Sequence, residues 1–297
     1  MRMRLGFAVG LVALAAVPAA AQGNDFSKVE VKATRIAGNV WMLMGAGGNI
    51  GVLAGADGVL VVDDEFAPLA DRIRAAIRGF APEGKLAFLL NTHWHGDHTG
   101  GNAAFGKEAT IIAQENVRKR LSTKQEAPGQ TTEASPKEAL PVVTYENGVS
   151  VWFDGEEIQV VHVPHGHTDG DSIIFFKGSN VVHMGDQFFN GTFPFIDVDS
   201  GGNVDGYVKN VADMIARIPP GAAIIPGHGP LGTLDDLKKF HAMLVKTTDI
   251  VKGEVAKGMS LDDAKKAGLP DEYKAYASKF VTVEGWIEAV YAAQKKR

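Results

Sequence analysis

Four separated stretches of this chain combine histidine or aspartate with glycine, and each follows a run that reads as a strand. They are "THWHGDH" (His93, His95, Asp97, His98), "HGHTDGD" (His167), "HMGDQ" (Asp186) and "IPGHGP" (His228). This pattern constrains the fold more than any other feature. Ligand-type side chains from four distant segments form one site when their strands end along one edge of a sheet. There the strands hold the backbone rigid and the glycines let the loops approach one another closely.

The elements between these stretches agree with such an edge. "VEVKATRI", "NVWMLMG" and "NIGVLAGADGVLVVDD" read as strands punctuated by Gly and Asn. Ala67 to Phe80 carries apolar residues at helical spacing, and "GKLAFLLNT" is a buried strand that runs straight into the histidine cluster. Residues 102–120 should hold a helix, a short strand around Ile111 and Ile112, and a second short helix. A second β-rich half runs from "PVVTYENG" to "NVVHMGD". Helices are expected over Asp205–Ile218, Thr233–Lys252, Leu261–Ala267 and Val283–Gln294. Two βα halves with sheets packed face to face and helices outside satisfy this order. The polar stretch Ser122–Leu140 reads as a mobile loop, either a plain connector or a flap over a substrate.

The chain has 297 residues and no cysteine, so disulfides play no part and a metal must be held by nitrogen and oxygen. The formal net charge is −5 with no basic block, which argues against a nucleic-acid partner. The N-terminus "MRMRLGFAVGLVALAAVPAAAQ" has a basic end, an apolar run from Leu5 to Val17, and small residues at Ala19–Ala21. It reads as a secretory signal over residues 1–21, too short to span a membrane comfortably, leaving residues 22–297 as a single domain with C-terminal helices. The expected product is periplasmic or secreted, with no stable membrane insertion. Cleavage after Ala21 removes Arg2 and Arg4 and takes the charge from −5 to −7.

Within "THWHGDH", residues two apart on a sharp turn can point to the same side, so His93 and His95 can share one metal while Asp97 and His98 reach a second. Each later ligand has an alternative when taken alone. His167 can be a hydrogen-bonded core histidine, Asp186 an N-cap, and His228 a turn cap. Together they read as ligands. His162, His165, His183 and His241 read as structural, with His165 and His183 near enough in sequence to support ligands from outside. Trp94 either lines the site or packs.

The pattern resembles the metallo-β-lactamase-fold hydrolase superfamily, with THxHxDH as its specific mark, over almost the whole chain from about Val29 to the last helices. The resemblance implies an α/β fold, a four-layer αββα sandwich of two mixed β-sheets flanked by helices, with two zinc ions at one edge. Iron or manganese suits such donors too. Carried over residue by residue, His93, His95 and His167 would hold the first zinc, and Asp97, His98 and His228 the second. Asp186 would bridge them beside a hydroxide that attacks a carbonyl carbon. Asp97 would be the catalytic residue, orienting the nucleophile or passing on its proton. Asp63 or Asp64, ending "VLVVDD", would support a ligand histidine.

The substrate implied is a small amide, lactone or thioester. One large group of β-lactamases in this superfamily has Cys where this chain has Asp186. Many members also anchor the substrate carboxylate with a Lys, whereas residues 178–208 here contain no Lys or Arg and instead carry "FFNGTFPFIDV". The ligand set is similar to that of glyoxalase-II-type thioesterases and lactonases. The expectation is therefore a hydrolase able to turn over β-lactams, against a dedicated thioesterase or lactonase without that activity, or a metal-binding envelope protein without turnover.

Overall fold

The computed structural model describes residues 25–127 and 130–295. The signal expected over residues 1–21 lies outside them. Two sheets face each other. The first contains β1 (Lys32–Ala37), β2 (Val40–Met44), β3 (Ile50–Gly55), β4 (Gly58–Val62), β5 (Leu86–Leu90), β6 (Thr110–Gln114) and β9 (Val143–Tyr145), side by side in that order. A small separate hairpin pairs β7 (Gln125–Ala127) with β8 (Gln130–Thr132). The second sheet contains β10 (Gly148–Phe153), β11 (Glu156–His162), β12 (Ser172–Phe176), β13 (Val181–His183) and β14 (Ala223–Ile225), also in chain order.

Period-two alternation of apolar residues makes the layers. In β4, Leu60 and Val62 face the second sheet, while Val59 and Val61 face the outer helices, and all four are buried. In β12, Ile174 and Phe176 face the first sheet, and Ile173 and Phe175 turn to the opposite helical layer. Strands buried on both faces read as unbroken apolar runs, which is how "GVLVV" and "SIIFF" read. The outer face of the first sheet is covered by α1 (Ala70–Arg78), through Ile73 and Ile77, and by Phe105 of the short α3 (Asn102–Phe105). The outer face of the second is covered by α5 (Val204–Arg217), α6 (Leu234–Ala256) and α9 (Val283–Lys295). The result is the αββα sandwich anticipated from the motif, and the C-terminal helices are part of its cover.

Helix ends follow local chemistry. Thr233 and Asp236 form a capping box at the start of α6, and the Asn203 side chain accepts from Gly206 N–H at the start of α5. The α6 helix runs beyond the expected Lys252 to Ala256, through Gly253. A helix-interior glycine costs about 1 kcal/mol relative to alanine, and the packing of Leu244 and Val251 against the sheet outweighs it. Short α4 (Glu115–Leu121), α7 (Leu261–Ala267) and α8 (Asp271–Lys274) complete the helices that matter below. The polar stretch Ser122–Leu140 holds the β7–β8 hairpin and a 3-10 turn at Lys137–Ala139, whose Ala139 carbonyl accepts from the buried Asn102.

Strand direction positions the site. β4, β5 and β6 run parallel, as do β13 and β14. The loops after β5, β11, β13 and β14 carry the four histidine and aspartate stretches and open at one edge of the sandwich. Among the described residues, no helix is long and apolar enough to cross a membrane.

Candidate metal centre

At that edge the seven residues form two adjoining groups. His93, His95, His167 and Asp186 make the first; Asp97, His98 and His228 make the second; within each, the ligand atoms lie within 4.8 Å of one another. Asp186 faces both. Its Oδ2 is 3.8 Å from His93 Nε2 and 3.3 Å from His167 Nε2, while its Oδ1 is 3.1 Å from His98 Nε2 and 3.4 Å from His228 Nε2. Asp97 Oδ2 lies 3.3 Å from His228 Nε2 and 3.7 Å from His98 Nε2.

The turn after β5 creates the first half. His95 has extended backbone and caps α2 (Gly96–Thr99), the single turn that carries Asp97 and His98. The Thr99 hydroxyl donates to the carbonyls of Trp94 and His95 and closes that turn. Two glycines permit close approach from elsewhere. A Cβ at Gly48 would lie 2.0 Å from the His98 ring, and one at Gly227 would lie 2.0 Å from Asp186 Oδ1.

The outer nitrogens of four histidines are committed. His95 Nε2 donates to Asp197 Oδ2 at 2.8 Å, His167 Nδ1 to the Phe195 carbonyl at 2.7 Å, and His98 Nδ1 to Asp63 Oδ2 at 2.7 Å. The Thr92 hydroxyl donates to Asp63, so it accepts from His93 Nδ1 at 3.0 Å. With their protons held outside, the inner nitrogens of these rings turn lone pairs toward the centre. His93 Nε2 and His95 Nδ1 are 3.2 Å apart, and His95 Nδ1 and His167 Nε2 are 2.8 Å apart. Lone pairs so converged repel one another without a cation between them. Asp186 Oδ1 is likewise buried with no hydrogen-bond partner. The donor set therefore fits metal ions, one per group, with Asp186 between them.

The electrostatics differ between the groups. Burial pushes His93 well below the ordinary imidazole range and His167 down to about 4, so both are neutral as ligands must be. Burial opposes charge on His98 and His228 too. There Asp186 and its neighbours outweigh it, holding His98 well above its usual value and His228 up to about 9. Burial raises Asp97, but His98 and His228 overcome it and bring the carboxyl down to about 2. The second group thus demands positive charge that protons or a metal ion can supply.

A model of the metallo-beta-lactamase superfamily matches residues 44–228 of the chain. The chain belongs to that superfamily. Among its relatives, the alpha subunit of 2,4-dinitroanisole O-demethylase from Nocardioides sp. (strain JS1661) is 25% identical over 159 residues, 52% of this chain and 46% of that one. Hydroxyacylglutathione hydrolase from Gloeobacter violaceus is 32% identical over 142 residues, 45% of this chain and 49% of that one. This chain spans about half the length of these curated relatives. A metallo-beta-lactamase from Pontibacter korlensis has the same fold, with a TM-score of 0.60 at 16% identity over 72% of this chain and 99% of that one.

The THxHxDH motif covers four of the seven residues that meet at the edge, and the residues that hold the seven lie mostly outside the four stretches. Asp63 is the outer support expected. One of its oxygens accepts from Thr92 N–H, and the other accepts from both the Thr92 hydroxyl and His98, so a single buried carboxylate steadies both groups. Asp64 accepts from Gly101 N–H instead. Glu65, also buried, accepts from Ala46 N–H and pins the glycine loop that lies against Asp97 and His98. Asp197 has no counterpart in the sequence reading; it comes from a distant loop, and only its position within an apolar stretch set it apart. His183 bonds to the Asn49 carbonyl and Gly185 N–H, and His162 to the Asp171 carbonyl; both are structural. His165 is exposed, and His241 lies on α6 away from the centre. Trp94 packs against the Ala113, Val117 and Leu121 cluster.

Proposed function

We propose that the protein is a metal-dependent hydrolase whose seven residues hold two zinc ions, acting on the carbonyl of a small amide, lactone or thioester. The observation that carries this reading is Asp186, a buried carboxylate presenting one oxygen to each of two histidine groups, in which four of the five rings have their outer nitrogens committed. Divalent ions in such a site supply an acidified water and a Lewis acid toward the carbonyl oxygen. The residues of the chain do the rest. Asp63, Thr92, Asp197 and the Phe195 carbonyl fix ring orientation and tautomer. Asp97, with a side chain 29% exposed, sits at the open side, where it orients the attacking water. Burial of His93, His98 and His167 excludes bulk water from the inner side.

Turnover of β-lactams belongs to the same chemistry. A dedicated thioesterase is the second reading, supported by the 32% identity to a hydroxyacylglutathione hydrolase and by the ligand pattern. The leader-like N-terminus supports export, so the site would work in the periplasm or outside the cell. Metal-analysed protein tested with nitrocefin, a homoserine lactone and a glutathione thioester, with chelator controls, distinguishes these readings. Hydrolysis that is chelator-sensitive and restored by zinc is expected. Hydrolysis that survives conversion of both His93 and His95 to Ala would overturn the proposal.

A further inference from the structure

The loop from β13 to α5 carries the bridging Asp186 and then the apolar stretch Phe193–Ile196. Phe193 and Ile196 point inward and are buried at 1% and 5% exposure, while Phe195 between them is 39% exposed. Its ring centroid lies 5.9 Å from that of His167 and 6.1 Å from that of His95. Phe280, in the segment between α8 and α9, lies outside the residues matched by the superfamily model. It is 77% exposed, and its ring meets Phe195 edge-on at 5.6 Å.

This juxtaposition is built into the fold. Phe193 N–H donates to the Tyr276 carbonyl at 2.8 Å, and the Phe193 ring stacks on Trp286 at 5.6 Å. Trp286 is in turn anchored by its indole N–H to Thr247 of α6 at 2.8 Å. Ser278 ties the turn that presents Phe280 by accepting from the N–H groups of Phe280 and Val281. On the other side, Phe189 stacks on His228 at 5.0 Å and reaches His167 at 6.1 Å. An aromatic path therefore runs from His228 past His167 to Phe195, on a β13–α5 loop with no Lys or Arg, and out to Phe280, which follows Lys279 in the C-terminal segment. Scattered exposed apolar residues are ordinary, but two that touch each other and adjoin the metal-type histidines are placed for a ligand.

We propose that Phe195 and Phe280 form a subsite for the apolar arm of the substrate, selecting acyl or alkyl chains of medium length over short or charged ones. This rests on the hydrolase reading above, which puts the reacting carbonyl at the centre that His95 and His167 help to build. The pair then covers the first carbons of the chain, and the C-terminal segment sets the specificity of a centre built by the rest of the sandwich.

The test uses metal-loaded protein and two readouts. Calorimetry measures binding of straight-chain carboxylates from butyrate to dodecanoate, and kinetics measures kcat/KM for acyl-homoserine lactones or acyl thioesters of matching length. Each added methylene should tighten binding and raise kcat/KM about fourfold until the lip is covered. Phe280→Ala and Phe195→Ala should each reduce the long-to-short ratio by about tenfold, and Phe280→Leu should recover most of it. Phe280 is exposed, so its truncation leaves the core intact. A ratio unchanged in both alanine variants overturns the subsite, even if hydrolysis is efficient. A change confined to self-association in sedimentation, with the ratio intact, also overturns it and assigns the pair to contact between copies. A chain-length dependence in binding that the variants flatten, without turnover of any substrate, supports the subsite and refutes the hydrolase reading.

Discussion

The two histidine groups share Asp186 but are held in different ways. In the first group each imidazole is oriented by a separate element: His93 by Thr92 beside it, His95 by Asp197 before α5, and His167 by the Phe195 carbonyl. Burial keeps His93 and His167 neutral. In the second, His98 is buried and fixed by Asp63, but the side chains of Asp97 and His228 are 29% and 30% exposed and face solvent. The comparison indicates a division of labour. The first group is a pre-oriented site whose three imidazoles are each fixed from outside. The second is open and carries the negative charge and the accessible carboxylate that chemistry on a substrate needs.

The largest effect should come from removing what the groups share. Asp186→Ala should abolish stoichiometric binding at both sites and lower kcat/KM by at least about 1000-fold, the scale of the several kcal/mol a metal centre contributes. Metal analysis showing one full equivalent retained would break the bridging role. Asp63→Asn comes next. It leaves the Thr92 hydroxyl and the His98 N–H facing an amide, so the affinity of both groups should fall about 10- to 100-fold, measured by competition with a chelator. A loss confined to one group would show that the common support does not operate. His228→Ala should then remove one equivalent of metal and leave the other, sharpening the contrast between the open and the closed half. Smallest should be Asp197→Asn, which frees only His95. A loss of about tenfold in affinity at the first group alone is expected, with the second unchanged in the same titration. The order of metal release offers a check without mutation: chelator titration of loaded protein should strip the open group first.

The candidate ligands were legible because metal chemistry restricts residue type. With no cysteine in the chain, histidine and aspartate in glycine-flanked turns after strands could be recognised one stretch at a time, and the structure gathers all seven at one edge. The layering was legible for a similar reason, since doubly buried strands such as β4 and β12 leave unbroken apolar runs. The supports were less so. Asp197 lies 102 residues from His95, and nothing about an aspartate in "FPFIDVDS" marks it as a hydrogen-bond partner of an imidazole. The polar stretch after α4 concealed the β7–β8 hairpin, because strands of three residues reading "QEA" and "QTT" leave no alternating apolar trace.

Local chemistry, readable in the order of residues, therefore accounts for the donor set, the strand edges on which it sits and the layers behind it. Those properties depend on residue type and on periodicities of two and 3.6, which are local in the chain. Folding in three dimensions accounts for the rest: which carboxylate steadies which ring, which half of the centre meets solvent, and how Phe280 from the C-terminal segment comes to stand beside Phe195. Each is a contact between segments far apart in sequence. Such contacts arise only when buried surfaces pack, and no single segment carries a record of its eventual neighbour.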